Sequence, residues 1–166
     1  MLKFKSNYSP AGTILKLNIN DLIADNIKGL ILDLDNTIML PKSGEFSPEI
    51  ANWLETALAA NLKIIIVTNN KDEIYLNSLS PLLDKYNIPI IIKAKKPRSK
   101  NLKKAIEYLN LPAENICIIG DRVLTDIWGG INVKIKTAFV EPLIGKKENI
   151  LYRALRRMEK VFLERA

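Results

Sequence analysis

Short apolar runs alternate along this chain with stretches whose apolar positions recur every three or four residues. Lys28 to Asp33 (Lys-Gly-Leu-Ile-Leu-Asp) is apolar and too short for a helix, which predicts a buried strand. Ser47-Pro48-Glu49 follows with a capping hydroxyl, a proline suited to the first helical position and an acid for the first turn. Ile50, Trp53, Leu54, Ala57 and Leu58 then fall on one helical face. Lys63 to Thr68 predicts a second strand, and residues 71–86 a helix that Pro81 must kink or divide. Ile88 to Ile92 predicts a third strand, Leu102, Ala105, Ile106 and Leu109 a helix, and Asn115 to Gly120 a fourth strand. A short helix separates that strand from a fifth, Lys136 to Val140, and the tail from about Lys147 is helical again.

Strands that alternate with helices predict βαβ units and a parallel sheet of about five strands, an α/β domain with helices on both faces. Ligands of such sheets bind beyond the carboxyl ends of the strands, near the point where strand order switches. Each strand end carries polar groups: Asp33-Leu34-Asp35-Asn36-Thr37, Thr68-Asn69-Asn70, Lys96-Pro97, and Gly120-Asp121 through Thr125-Asp126.

Composition narrows the chemistry. The 166 residues suit one domain, 1–166, with residues 1–27 as an N-terminal extension and 147–166 as a basic amphipathic C-terminal helix. There is no histidine, so imidazole bases, Ser-His-Asp triads and most zinc hydrolase sites are excluded, and acid–base work falls to carboxylates or lysines. The single cysteine, Cys117, permits no internal disulfide and suits a reducing compartment. No apolar run has the length of a spanning helix and no signal-peptide core follows the first residues, so a cytoplasmic protein is expected. The net charge of +7 gathers in two clusters, Lys93 to Lys104 and Lys146 to Arg165, which predicts an anionic partner.

Asp33 and Asp35 are two apart, so an extended backbone projects them to the same side while Leu34 turns away. Two such carboxylates repel unless a cation lies between them, and oxygen-only ligands that include Asp121 suit Mg²⁺. An isolated Asp-x-Asp also fits plain turn chemistry at a strand end. Its company with Asp121 and Asp126 on another strand end is what favours a site.

In order and placement these residues resemble the haloacid dehalogenase superfamily of phosphatases, over nearly the whole chain. Asp33, Asp35 and Thr37 meet the Asp-x-Asp-x-Thr motif, Thr68 the hydroxyl ending strand two, Lys96 the lysine, and Asp121 with Asp126 the Gly-Asp motif. The resemblance implies a three-layer Rossmann-like fold and a phospho-aspartyl mechanism, with Asp33 as nucleophile and Asp35 as acid and then base. It implies Mg²⁺ held by Asp33, Asp121 and the Asp35 backbone carbonyl, with Asp126 in support. Thr68 and Lys96 are expected to act in catalysis, and Asn36, Thr37, Asn69 and Lys96 to contact phosphate.

Only 30 residues separate Thr37 from Thr68, and 27 separate Thr68 from Lys96, which leaves no room for a cap domain. An open site admits bulky substrates. Within the superfamily the chain looks most like the YqeG-type group, which includes phosphatidylglycerophosphate phosphatases. That likeness rests on the same motifs together with Gly129-Gly130, although Ile131 intervenes before Asn132. It implies a phosphomonoester on a lipid headgroup, and a cytoplasmic or plastid-stromal protein able to sit peripherally on the inner membrane face. In the tail, Leu151, Leu155, Met158 and Phe162 form a stripe among basic residues, so this helix either packs on the domain or lies on an anionic membrane.

Three other readings compete. One keeps the chemistry and changes the substrate to nucleic-acid 3′ ends or soluble sugar phosphates. Another is a silent module that binds RNA or protein, against which stand the intact acids and the lack of aromatics in the 93–104 cluster. A Cys-based phosphatase needs Cys-x5-Arg, and Cys117 to Arg122 is one residue short.

Overall fold

The structure, a computed structural model, describes residues 4–143 and, beyond them, Ala154, Met158, Glu159 and residues 161–164. Five strands build the central sheet: β2 (Gly29–Leu32), β3 (Lys63–Val67), β4 (Ile90–Ile91), β5 (Ile116–Gly120) and β6 (Lys136–Phe139). Their order is β4-β3-β2-β5-β6 and every pairing is parallel. The first strand of the sheet therefore lies at its centre, and the chain switches direction beside it. The switch point falls between β2 and β5, where a ligand site is expected.

Side-chain alternation along β2 separates two layers. Leu30 and Leu32 join the cluster that includes Leu22 of α1 (Ile19–Ala24) and Ile50, Trp53, Leu54 and Ala57 of α2 (Pro48–Ala59). The same cluster takes in α3 (Glu73–Ser78) through Leu76 and α4 (Ser80–Tyr86) through Leu83. Ile31 faces the other way, onto Leu102, Ala105 and Leu109 of α5 (Ser99–Leu109). All four residues of β2 are buried, as a strand covered on both faces must be. Each of its three Leu and Ile side chains stabilises the fold by roughly 1.5–3 kcal/mol.

The expected helix starts and stops occur with their reasons visible. Ser47 caps α2 by accepting from the Ile50 N–H, and Pro48 opens the first turn. The predicted helix over 71–86 is divided at Leu79, with Pro81 in the first turn of α4, where its missing N–H costs nothing. Asn87 and Asn110 end α4 and α5 in the left-handed conformation. Between β5 and β6 the chain forms a π-helical turn (Val123–Ile127) and α6 (Trp128–Asn132).

The termini depart from expectation. Residues 1–27 are read from the sequence as an extension, yet the described part is built into the domain. Ser6 Oγ donates to the Thr137 carbonyl and accepts from the Phe139 N–H, and Tyr8 bridges to Ala138, so this segment covers the edge of β6. Trp53 Nε1 donates to the Leu17 carbonyl at 3.0 Å and ties the segment to α2. The helix expected over 147–166 does not run to the end of that range. Val161 and Phe162 turn, and β7 (Leu163–Glu164) pairs in parallel with β1 (Phe4–Lys5). The rest of the expected tail helix, with Leu151 and Leu155 of its stripe, lies outside the described residues. Phe162 packs against the cluster of Phe4, Val123, Ile127 and Phe139.

Candidate active site

Because β2 and β5 are neighbours, Asp33 and Asp121 leave adjacent strand ends, and one oxygen from each of Asp33, Asp121 and Asp126 lies within 4.8 Å of the others. All three residues are buried. Lys96, from the segment after β4, is 4% exposed, and its Nζ lies 2.7 Å from Asp33 Oδ1 and 2.6 Å from Asp126 Oδ1. Thr37 Oγ1 lies 3.2 Å from Asp33 Oδ2 and 3.4 Å from Asp121 Oδ1, so it spans the two strand ends. The sequence places Thr37 among the phosphate contacts; the structure has it orienting carboxylates.

Asp126 reaches the cluster because Gly120 lacks a side chain. A Cβ on Gly120 would lie 2.3 Å from Asp126 Cγ, closer than any contact atoms tolerate. The π-helical turn returns Asp126 over the strand end, where its Oδ2 accepts from the Arg122 N–H and from Thr125 Oγ1, each at 3.2 Å.

Asn69, also expected at the phosphate, bonds the lysine segment. Its side chain clasps the Lys96 backbone, accepting from Lys96 N at 2.7 Å and donating to Lys96 O at 3.0 Å. These two bonds hold the Lys96 backbone in place, next to the cis Lys96–Pro97 bond. Thr68 is buried and accepts from the Asn70 N–H at 3.0 Å, which leaves its hydroxyl proton for another acceptor. Asn36 sits at positive φ, and its N–H donates to the Met39 carbonyl, which closes the loop after β2.

Asp35 stands apart from the three clustered acids and is half-buried. Its Oδ2 accepts from Asn70 Nδ2 at 2.9 Å, and Oδ1 has no hydrogen-bond partner among the described residues. Burial, with the nearby Asp33 charge adding, holds the Asp35 carboxyl above the usual range against the pull of Asn70 and Lys96. With Asn70 donating to Oδ2, the proton of the neutral acid is left to Oδ1.

The electrostatics of the buried half favour positive charge among its acids. Burial acts against the Lys96 charge, yet Asp126 and Asp33 more than offset it and hold the ammonium firmly protonated. Burial pushes Asp126 up to about 6, with the Asp33 charge adding and Lys96 opposing. Asp33, Asp121 and Asp126 form a buried, all-oxygen donor set that suits a hard divalent ion.

Arg122 and Glu159 form an ion pair beside the site that the sequence did not suggest. Glu159 is 2% exposed; both its oxygens accept from Arg122 Nε at 3.0 Å, Oε1 also from Arg122 Nη2, and Oε2 from the Val123 N–H at 3.1 Å. These bonds raise the Arg122 pKa further and tie the C-terminal segment to the loop that carries Asp121 and Asp126. The available signal was spacing: Glu159 lies four residues after Leu155 and three before Phe162, on the apolar stripe itself. Cys117 is fully buried in β5 and burial pushes its thiol up, which makes it packing rather than chemistry.

Acids on two neighbouring strand ends at the switch point, joined by a lysine from a third, define a phosphatase of haloacid dehalogenase type. Solved structures agree on the fold. The core domain of a Streptococcus pneumoniae protein assigned as a phosphoglycolate phosphatase matches with a TM-score of 0.53 over 80% of this chain and 96% of that one, at 21% identity. An uncharacterised Corynebacterium glutamicum protein matches at 0.54 over 82% and 95%, at 15% identity. The chain belongs to the family described as mitochondrial PGP phosphatase, which matches residues 9–136 and so takes in all four motifs. The Bacillus subtilis protein YqeG, named as a phosphatase, is 33% identical over 138 residues, 83% of this chain and 77% of its own length. The chloroplastic phosphatidylglycerophosphate phosphatase of Chlamydomonas reinhardtii is 29% identical over 87% of this chain, and the mitochondrial phosphatidylglycerophosphatase of Saccharomyces cerevisiae 34% over 65%. The match spans only 55% and 65% of the length of those two relatives. The protein is a phosphatase, and no helix among its described residues is long and apolar enough to cross a membrane.

Proposed function

We propose that this protein is a magnesium-dependent phosphomonoester phosphatase that works through a phospho-aspartyl intermediate on Asp33 and converts phosphatidylglycerophosphate to phosphatidylglycerol. The observation that carries the chemistry is Lys96, buried between Asp33 and Asp126 at 2.7 and 2.6 Å beside Asp121. Asp33 and Asp121, the Asp35 backbone carbonyl and Asp126 in support are the groups that would hold Mg²⁺. When bound, the ion supplies positive charge to the carboxylates and to the phosphoryl oxygens.

Phosphoryl transfer asks the protein chiefly for position and positive charge. Thr37 and Lys96 fix the Asp33 carboxylate, whose oxygen attacks phosphorus as the bond to the leaving alkoxide breaks. Asp35, whose carboxyl burial holds above the usual range, gives its Oδ1 proton to that alkoxide, a contribution of ~10²–10⁴ in rate. The resulting Asp35 carboxylate then takes a proton from water as the water oxygen attacks phosphorus. The Asp33–phosphorus bond breaks and phosphate leaves. Lys96 and the free hydroxyl proton of Thr68 stabilise phosphoryl oxygens in both steps.

The lipid substrate is supported by the family and by the open site. The interval from Thr37 to Thr68 holds only a loop, α2 and β3, and that from Thr68 to Lys96 only α3, α4 and β4. No cap stands over the acids among the described residues. The test is phosphate release, with and without Mg²⁺, from phosphatidylglycerophosphate in micelles, a 3′-phosphorylated oligonucleotide and a sugar phosphate. The lipid should be the fastest substrate and Mg²⁺ should be required. Release from a soluble ester at an equal or greater rate rejects the lipid and keeps the mechanism.

A further inference from the structure

Four of the large apolar side chains left exposed lie on segments that border this site. Leu40, in the loop after β2, is 39% exposed, and Ile74, in the first turn of α3 after β3, is 88% exposed. Ile74 is the most exposed large apolar side chain among the described residues. Met158 and Val161, at 64% and 56%, flank the Glu159 that is fastened to the loop after β5. Three segments at the carboxyl edge of the sheet therefore each present apolar surface to water.

The first two segments form one rim. The Tyr75 hydroxyl contacts Met39 Sδ at 3.1 Å, and Lys42 Nζ lies 4.0 Å from Asp72 Oδ2. The rim borders the reacting groups directly, since Asn70, which bonds Asp35, accepts from the Asp72 N–H. Exposure of Ile74 contributes nothing to the fold, for α3 buries only Leu76. Lys42, Lys71, Lys93, Lys95 and Arg98 stand exposed on the segments after β2, β3 and β4, against the acids Glu45, Asp72 and Glu73. Lys42 and Lys93 pair with Asp72 and Glu73 at the surface. Exposed pairs of this kind are weak and exchange readily for another anion.

We propose that this edge seats on an anionic bilayer. Ile74 and Leu40 enter the boundary between headgroups and acyl chains, and the lysines between them meet lipid phosphates. This rests on the lipid-substrate reading and deepens it. A headgroup phosphate lies at the membrane surface, and an uncapped site reaches it only with its rim set down there.

Co-sedimentation of the full chain with phosphatidylcholine vesicles, with and without phosphatidylglycerol, tests the surface. The protein should bind the anionic vesicles, and binding should weaken with salt. Ile74→Asp should weaken it by about tenfold or more. Tyr108→Asp serves as control, because Tyr108 is 63% exposed in the last turn of α5, at the far end of the sheet. Its binding should be unchanged. Hydrolysis of p-nitrophenyl phosphate by Ile74→Asp should match the parent, which shows the fold and chemistry intact. Absence of vesicle binding by the parent, wild-type binding by Ile74→Asp, or an equal loss in Tyr108→Asp would overturn the proposal. The two readings fail separately. Loss of binding in Ile74→Asp by an enzyme that ignores phosphatidylglycerophosphate keeps the surface and rejects the substrate. Hydrolysis of that lipid in micelles with vesicle binding untouched does the reverse.

Discussion

On one side of the site Asp33, Asp121 and Asp126 share Lys96 and Thr37 in a buried cluster, with Asn69 gripping the lysine from behind. On the other side Asp35 is half-buried and holds a bond from Asn70 through one oxygen only. The difference follows from solvation. Buried charges must be satisfied by fixed partners, so the first side is held from several directions at once. The proton transfer proposed for Asp35 needs the opposite, an oxygen without a partner and a carboxyl held above the usual range, and the looser side has both.

Substitutions on the two sides should therefore behave differently. Asp33→Asn should abolish turnover while the thermal midpoint stays close to that of the parent, since Lys96 keeps Asp126 as partner. Measurable steady-state turnover by this variant would remove Asp33 from the nucleophile's role. Lys96→Met should lose activity and also stability, by about 3–5 kcal/mol, because Asp33 and Asp126 are left buried without their cation. The sign with pH follows from Asp126. Its folded-state pKa, about 6, already lies above the ordinary 3.8, so the native state holds the proton more tightly than the unfolded chain and stability falls as pH rises through that window. Without Lys96 the pKa rises further, and urea unfolding should show a deficit that grows above about pH 6. A deficit that is small and independent of pH would mean the cluster is satisfied in another way.

The smallest effect is expected on the open side. Asn70→Ala should slow turnover only a few-fold, but it removes a bond that favours the charged form of Asp35. The acid then stays protonated to higher pH, and the alkaline limb of the kcat profile should move upward. An unmoved limb would show that Asp35 does not set it.

The sequence carried the central architecture because its periods are local. Leu30, Ile31 and Leu32 read as a doubly covered strand, Ser47-Pro48 as a helix start, and Pro81 as a break, and each is found there. The acids, Thr68 and Lys96 were legible because a parallel sheet puts its chemistry at strand ends. The bonding partners of Thr37 and Asn69 were not, since which partner a hydroxyl or amide meets depends on chain segments tens of residues away. Glu159 was missed for the same reason: its worth lies in Arg122, 37 residues back.

By itself the sequence determined that acid–base groups would have to be carboxylates or lysines, for it offers no histidine, and it places such groups after apolar strands. Only the tertiary structure decided how they share charge. Strand order put β5 beside β2, Gly120 left room for Asp126, and burial raised the cost of every unpaired charge among them. It also decided that Phe4 to Tyr8 and the described residues from Glu159 to Glu164 pack onto the domain, and that Leu40 and Ile74 stand exposed beside the site. Such facts arise from juxtaposition, because solvation and packing act on neighbours in space and pay no regard to distance along the chain.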